Sequence, residues 1–238
     1  MRILGIETSG PTAEVALMED QEVVAAGSLR IRGRTGERLI DLIDSLFQWA
    51  DWELGVLQRI AIDIGPGSFT GLRVGLALAK GLSLGTGIAV VPVSSLEALA
   101  AGIAGDQPVL ATLPAPKGRV YAALLQRDTE GYHPLIAEAC WEPSTLRAEI
   151  GHRLDPAADR GALAGPGIDR LDLSHQLWRG GWRLYPELHP SAVTVALCGS
   201  GTGRENLRGK ELAALVPRYL KGADVRRPQY KTELPRRD

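Results

Sequence analysis

A nine-residue run constrains this chain more than any other feature, and it reads Gly65-Pro66-Gly67-Ser68-Phe69-Thr70-Gly71-Leu72-Arg73. The run follows an apolar segment at 60–64 that predicts a buried strand, and it opens a long apolar segment that predicts a helix. Three glycines and a proline within seven residues indicate a tight backbone turn at this junction. Such a turn either holds a phosphate group at the helix N-terminus or lets a second backbone approach closely.

The spacing within the run does not match the known phosphate-binding motifs. A P-loop has a lysine directly after its last glycine, whereas Leu72 follows Gly71 here. The dinucleotide motif G-x-G-x-x-G also fails, because three residues separate Gly67 from Gly71. Ser68 is best explained as the residue that caps the helix N-terminus, since no G-x-S-x-G nucleophile motif surrounds it.

The predicted helix carries a stripe of small residues that recur every four positions, at Gly71, Gly75, Ala79 and Ser83. Glycine in a helix interior costs about 1 kcal/mol relative to alanine, so a repeated glycine needs a structural reason. Close packing of the stripe supplies one. The neighbour is either this chain's own sheet and first helix or the helix of a partner protein.

Two successive stretches of the chain repeat one order of elements: strands, a helix, a strand, a Gly-Pro-Gly turn and a second helix. The segment Gly105-Asp106-Gln107-Pro108 predicts a hinge between them, and a second turn, Gly165-Pro166-Gly167, echoes Gly65-Pro66-Gly67. We therefore predict an α/β protein of two related subdomains, at 1–105 and 106–225, followed by a basic tail at 226–238.

Composition excludes several classes of function. The 238 residues carry a net charge of −1, so contact with nucleic acid requires a local basic patch, either before the first helix (Arg30 to Arg38) or in the C-terminal tail. The alternative for both patches is a solvated surface. Cys140 and Cys198 lie far apart and match no metal or redox spacing, and no segment predicts a membrane span, so we expect a cytoplasmic protein.

The end of the first predicted strand, at Glu7-Thr8-Ser9, is a weak candidate for a phosphate site. Glu7 is suited to hold Mg²⁺ through water, and Thr8 or Ser9 is suited to contact phosphate. A polar hairpin end is an equally good explanation. The four histidines form no H-x-x-x-H or H-E-x-x-H pair, so we predict no metal site and no catalytic residue.

Taken together, the motifs resemble those of the bacterial TsaB (YeaZ) family over most of residues 1–225. The resemblance rests on the nine-residue run and on four other segments in matching order: Ile3-Leu4-Gly5-Ile6-Glu7-Thr8-Ser9, Val93-Ser94-Ser95-Leu96-Glu97-Ala98-Leu99-Ala100, Gly118-Arg119-Val120-Tyr121-Ala122 and Pro217-Arg218-Tyr219-Leu220-Lys221.

This resemblance implies an actin-like ATPase fold of the sugar kinase and Hsp70 type. It also implies a cytoplasmic role in making N6-threonylcarbamoyladenosine beside the anticodon of ANN-decoding tRNAs. In that family TsaB is the non-catalytic partner of TsaD, which carries the metal-binding histidines and transfers the threonylcarbamoyl group, and the ATPase TsaE joins them. The resemblance thus implies that ATP and metal are used by partner subunits, with tRNA contacted indirectly or through the basic tail.

The resemblance implies that TsaD contacts helices of the N-terminal half, and whether the lone protein pairs with itself through the same face stays open. We therefore expect the partner interface to include Leu39, Ile43, Leu46, Gly71, Gly75 and Ala79. The chain departs from the family where Pro114-Ala115-Pro116 replaces Asp-Ala-Arg and where Thr35-Gly36 replaces a histidine. The alternatives are an ATP-dependent enzyme of the same fold, with Glu7-Thr8-Ser9 at the phosphates, and an M22-type peptidase.

Overall fold

The computed structural model describes residues 1–30, 35–129, 131–153, 160–172 and 181–220. Its first sheet has the strand order β3-β2-β1-β4-β5. The first three strands are antiparallel to their neighbours in the chain, whereas β4 lies parallel to β1 and β5 lies parallel to β4. The strands are β1 (Arg2–Glu7), β2 (Thr12–Glu19), β3 (Glu22–Arg30), β4 (Arg59–Asp63) and β5 (Ala89–Val93).

The second sheet repeats the first in strand order and in strand direction. Its order is β8-β7-β6-β9-β10, with antiparallel pairs on the β8 side and parallel pairs on the β10 side. The prediction of a duplicated α/β unit is therefore confirmed. The strands are β6 (Val109–Pro114), β7 (Val120–Arg127), β8 (Tyr132–Trp141), β9 (Ala162–Ala164) and β10 (Arg183–Tyr185).

Six α-helices cover the sheets in the described part of the chain: α1 (Thr35–Ala50), α2 (Phe69–Thr86), α3 (Ser95–Ala101), α4 (Pro143–Arg153), α5 (Ala192–Ser200) and α6 (Gly209–Ala214). The predicted cap at Ser68 is confirmed, because its side-chain oxygen accepts a hydrogen bond from the Gly71 N–H at 3.2 Å. Ser94 caps α3 in the same way. No helix among the described residues is both long enough and apolar enough to cross a membrane.

Two helices pack across the two sheets. Helix α3 packs on the second sheet, at β6 and β7, whereas α5 packs on the first sheet, at β1 and β4. The two helices also pack against each other. Gly5 permits this arrangement, since a Cβ there would lie 2.1 Å from the backbone oxygen of Ala192. The strands before Val109 thus form one sheet and those from Val109 onward form the other, while each half of the chain contributes a helix to the other half's core. The predicted tail at 226–238 lies outside the described residues.

Candidate functional site

The carboxyl ends of β1 and β4 lie at the edge of the sheet where an open α/β fold ordinarily binds its ligand, and we call this edge the crevice. Glu7 ends β1 and Asp63 ends β4. The register pairs Ile6 with Ile62, so the two acidic residues that follow lie side by side. Both side chains are buried, with 2% of Glu7 and 0% of Asp63 exposed. The crevice therefore contains a carboxyl pair that is closed to water.

One oxygen atom of each carboxyl group accepts two hydrogen bonds from neighbouring residues of the chain. The Ser9 N–H and the Ser9 hydroxyl both donate to Glu7 Oε1, each at 2.5 Å. The Gly65 N–H donates to Asp63 Oδ1 at 2.7 Å, and the Ser95 hydroxyl donates to the same oxygen at 2.6 Å. Asp63 Oδ2 and Thr8 Oγ1 are buried without a hydrogen-bond partner among the described residues.

Burial changes the acidity of both carboxyl groups. It raises the pKa of Glu7 well above its ordinary value, and the negative charge of Asp63 raises it further. Burial also raises the pKa of Asp63, although the hydrogen bonds from Ser95 and Gly65 oppose that rise. We infer that Glu7 carries a proton under conditions that ionise an exposed carboxyl group, because two adjacent buried charges repel each other.

The glycine run packs directly against the end of β1. A Cβ at Gly71 would lie 2.0 Å from the backbone oxygen of Thr8, and one at Gly75 would lie 2.4 Å from Thr8 Oγ1. One at Gly67 would lie 2.5 Å from Ser9 Cβ, and the Ser68 N–H donates to the Ser9 backbone oxygen at 2.8 Å. Of the two explanations for the run, the structure thus shows the close approach of a second backbone, and that backbone belongs to this chain.

The six residues expected at a partner interface are all buried within this chain: Leu39, Ile43, Leu46, Gly71, Gly75 and Ala79. The three apolar side chains of α1 belong to one core cluster with Ala79 and with residues of the first sheet. These residues therefore face the chain's own core, and their predicted contact with a partner stays a prediction. Their apolar or small character serves the packing of α1 and α2 onto the chain's own sheet.

The opposite face of α2 is exposed to solvent. Packing within the described part of the chain does not explain the residues found there. A Cβ added at Gly81 or Gly85 would have no atom of the described part of the chain within 4 Å. Leu84, between them, is 91% exposed, and Phe69 at the start of the helix is 53% exposed. Helix α1 packs beside α2 and adds Trp49, which is 73% exposed, so the solvent-facing surface of the two helices carries exposed apolar side chains. We call this surface the outer face of α1 and α2.

A nucleotide with its magnesium ion does not fit the crevice as the chain folds. Both carboxyl groups are closed to water, so neither can reach a hydrated ion. The glycines at the start of α2 lie against Thr8 and Ser9, so these positions serve the packing of the helix on the end of β1. Among the described residues, no group of three or more His, Cys, Asp and Glu is placed to hold a metal ion.

Two acidic residues at the crevice, Asp63 and Glu138, are absent from the set predicted from the sequence. Asp63 had a visible signal, since it is the charged residue of an otherwise apolar segment just before the glycine run. Glu138 lies on β8 and had no comparable signal. Of the basic patches, Arg30 ends β3 and Arg38 lies on α1, while residues 31–34 and the tail from 221 lie outside the described residues.

Comparison with known proteins identifies the family of this chain. The family model described as TsaD, tRNA N6-adenosine threonylcarbamoyltransferase, matches residues 34–177. The TsaB protein of Escherichia coli K12 is 37% identical over 154 residues, which is 63% of this chain and 66% of that protein. The TsaB protein of Bacillus subtilis 168 is 36% identical over 127 residues, or 53% of this chain and 56% of that protein. The chain belongs to the TsaB (YeaZ) family.

A solved structure supports the assignment over nearly the whole chain. YeaZ from Pseudomonas aeruginosa superimposes with a TM-score of 0.73 at 25% identity, covering 92% of this chain and 99% of that one. The fold is therefore actin-like, as the two sheets of equal strand order also indicate. The sequence alignments are shorter, since they span between about half and two thirds of the length of the two TsaB relatives.

Proposed function

We propose that this chain is the non-catalytic scaffold subunit of the complex that makes N6-threonylcarbamoyladenosine beside the anticodon of ANN-decoding tRNAs. The names of its relatives support the pathway, because both the Escherichia coli and the Bacillus subtilis proteins are tRNA threonylcarbamoyladenosine biosynthesis proteins. In this proposal the chain binds and stabilises TsaD in the cytoplasm, TsaE joins the pair, and tRNA is contacted through the partners or the basic tail.

The observation that carries the scaffold role is the outer face of α1 and α2. Helix glycines at Gly81 and Gly85 destabilise α2, and a Cβ at either position would meet no atom of the described residues within 4 Å. A helix of another protein can approach closely at such positions, and Leu84 and Phe69 then supply apolar area that is otherwise left in water. The interface thus lies on the same two helices as predicted from the sequence, but on their opposite side.

The closed carboxyl pair supports the non-catalytic part of the proposal. General acid–base catalysis or metal binding requires a carboxyl group that a substrate or a hydrated ion can reach. Glu7 and Asp63 are instead buried beneath the N-terminus of α2. We therefore propose that the chain uses no cofactor of its own, and that ATP and metal act on its partner subunits.

The test is co-purification of TsaD with full-length variants of this chain. We expect Gly81→Leu to reduce the recovered TsaD at least tenfold, because the leucine side chain holds the partner helix away. Gly151→Leu is the matched control, since Gly151 is also an exposed helix glycine with open space at its Cβ position, but lies on α4. Normal recovery of TsaD with Gly81→Leu would overturn the proposed interface.

A reconstituted tRNA modification assay tests the function apart from the interface. We expect threonylcarbamoyladenosine formation by TsaD and its partners to require this chain, and to fall with Gly81→Leu but not with Gly151→Leu. Full modification in the absence of the chain would overturn the proposed function.

A further inference from the structure

Residues 216–220, which follow α6, cross the mouth of the crevice from one half of the molecule to the other. Leu215, just before them, packs against the core cluster of the first sheet. Leu220, at their end, packs against a cluster that includes Leu113 and Ala164 of the second sheet. We call residues 216–220 the C-terminal strap.

The backbone of the strap contacts the glycine run. The Arg218 N–H donates to the Ile64 backbone oxygen at 2.7 Å, directly after Asp63. The Arg218 backbone oxygen would lie 3.2 Å from a Cβ at Gly65, whose φ is +103°. The strap therefore extends the end of β4 by one hydrogen bond and covers the turn from outside.

Side chains fix the strap to the start of α2. The rings of Tyr219 and Phe69 lie 5.4 Å apart between centroids, and the Arg73 guanidinium lies 3.8 Å from the Phe69 ring centroid. Arg73 Nε also donates to the Tyr219 hydroxyl at 3.3 Å. One side of the strap is thus held by the first half of the molecule.

The other side is held by an ion pair with the second half. The Arg218 guanidinium donates to Glu138 Oε2 of β8 at 2.7 Å, and the Glu138 side chain is only 12% exposed. Because the carboxylate is mostly removed from water, loss of the arginine would leave a buried charge without its partner. Arg218 therefore contacts Ile64 of the first half through its backbone and Glu138 of the second half through its side chain.

We propose that the C-terminal strap locks the two halves together across the crevice and keeps the Glu7–Asp63 carboxyl pair out of water. A segment of the chain itself thus bridges the two halves beside the carboxyl pair. The proposal concerns the isolated chain and does not depend on the identity of any partner.

The test measures the mobility of the two halves in full-length protein. Cysteines introduced at the exposed positions Glu53 in the first half and Ala148 in the second carry nitroxide labels, since Cys140 and Cys198 are buried. We expect one narrow distance distribution by pulsed electron paramagnetic resonance. Arg218→Ala combined with Leu220→Ala should broaden this distance distribution. Arg218→Lys combined with Leu220→Ala should largely restore the narrow distribution.

Hydrogen exchange gives an independent measurement at the crevice. The Ser95 N–H donates to the Gly65 backbone oxygen at 3.0 Å, directly beneath the strap. We expect it to exchange at least about tenfold faster in the double variant, while amides in the centre of β7 keep their rates and so report an intact fold. Arg119→Ala is the matched control, because it removes an exposed arginine–glutamate pair within the second half. An unchanged distance distribution and unchanged exchange of the Ser95 N–H would overturn the proposal that the strap locks the two halves together.

Discussion

The two Gly-Pro-Gly turns of this molecule have the same backbone role but different surroundings. The first glycine of each has a positive φ, +103° at Gly65 and +98° at Gly165. The last glycine of each lies against the first strand of its own sheet or against the residues that directly follow that strand. A Cβ at Gly67 would lie 2.5 Å from Ser9 Cβ, and one at Gly167 would lie 2.8 Å from Thr112 Cβ. Each turn therefore follows one strand and packs closely against the neighbouring strand or its end.

The difference lies in the side chains beneath each turn. If Ser9 is matched with Thr112 and Gly65 with Gly165, the carboxyl pair corresponds to Leu110 and Leu163. These leucines are register partners and both are fully buried. The second turn thus keeps its geometry over an apolar core, which shows that the geometry does not require carboxyl groups. The Glu7–Asp63 pair is an addition to the first half rather than a condition of its fold.

The largest effect is expected where the first turn packs most closely. Gly71→Ala places a Cβ 2.0 Å from the Thr8 backbone oxygen, and neither backbone segment can move without displacing a strand or a helix. We expect the free energy of unfolding to fall by about 3 kcal/mol or more. Urea unfolding followed by circular dichroism measures it.

The corresponding substitution in the second turn is expected to have a smaller effect on stability. Gly167→Ala should destabilise by about 2 kcal/mol, since its Cβ would lie 2.8 Å from both Leu113 N and Thr112 Cβ. Gly81→Ala is the control on the exposed face of α2 and should stabilise by up to about 1 kcal/mol, because nothing lies within 4 Å of its Cβ. Equal effects of Gly71→Ala and Gly81→Ala would contradict the assignment of the two faces of α2.

The carboxyl pair predicts a smaller, pH-dependent effect that the second half lacks. Because the folded protein raises the pKa of Glu7 and Asp63, their contribution to stability is complete below the ordinary carboxyl pKa and is lost as pH rises through the raised values. We expect Glu7→Gln to remove much of this loss. The variant should be about 1–2 kcal/mol more stable than the wild type at alkaline pH.

The hydrogen bonds available to a glutamine at position 7 favour the higher stability of the Glu7→Gln variant. Glutamine keeps an oxygen to accept from Ser9, and its amide can donate to Asp63 Oδ2, which has no partner among the described residues. Urea unfolding of both proteins from pH 4 to 9 provides the comparison. A wild type whose stability rises with pH in that range, or a Glu7→Gln variant with the same profile, would contradict the raised pKa values.

Local patterns were sufficient to predict the duplication and the cap at Ser68, because each depends on residues close together in the chain. They could not show which side of α2 is buried, since both faces carry small residues: Gly71 and Gly75 on one, Gly81 and Gly85 on the other. The pairing of Glu7 with Asp63 depends on the register of β1 against β4. The exchange of α3 and α5 between the halves, like the contact of Arg218 with Glu138, arises only when the chain returns from a distant position.

The central claim is that the first glycine turn packs strand against helix and does not hold a nucleotide. Isothermal titration of the full-length chain with Mg·ATP tests it most directly, with Glu7→Gln as the comparison. The account predicts no saturable heat of binding for either protein. Saturable one-to-one binding to the wild type that Glu7→Gln abolishes would contradict it, because the nucleotide and its magnesium ion would then reach a carboxyl group that the structure closes to water.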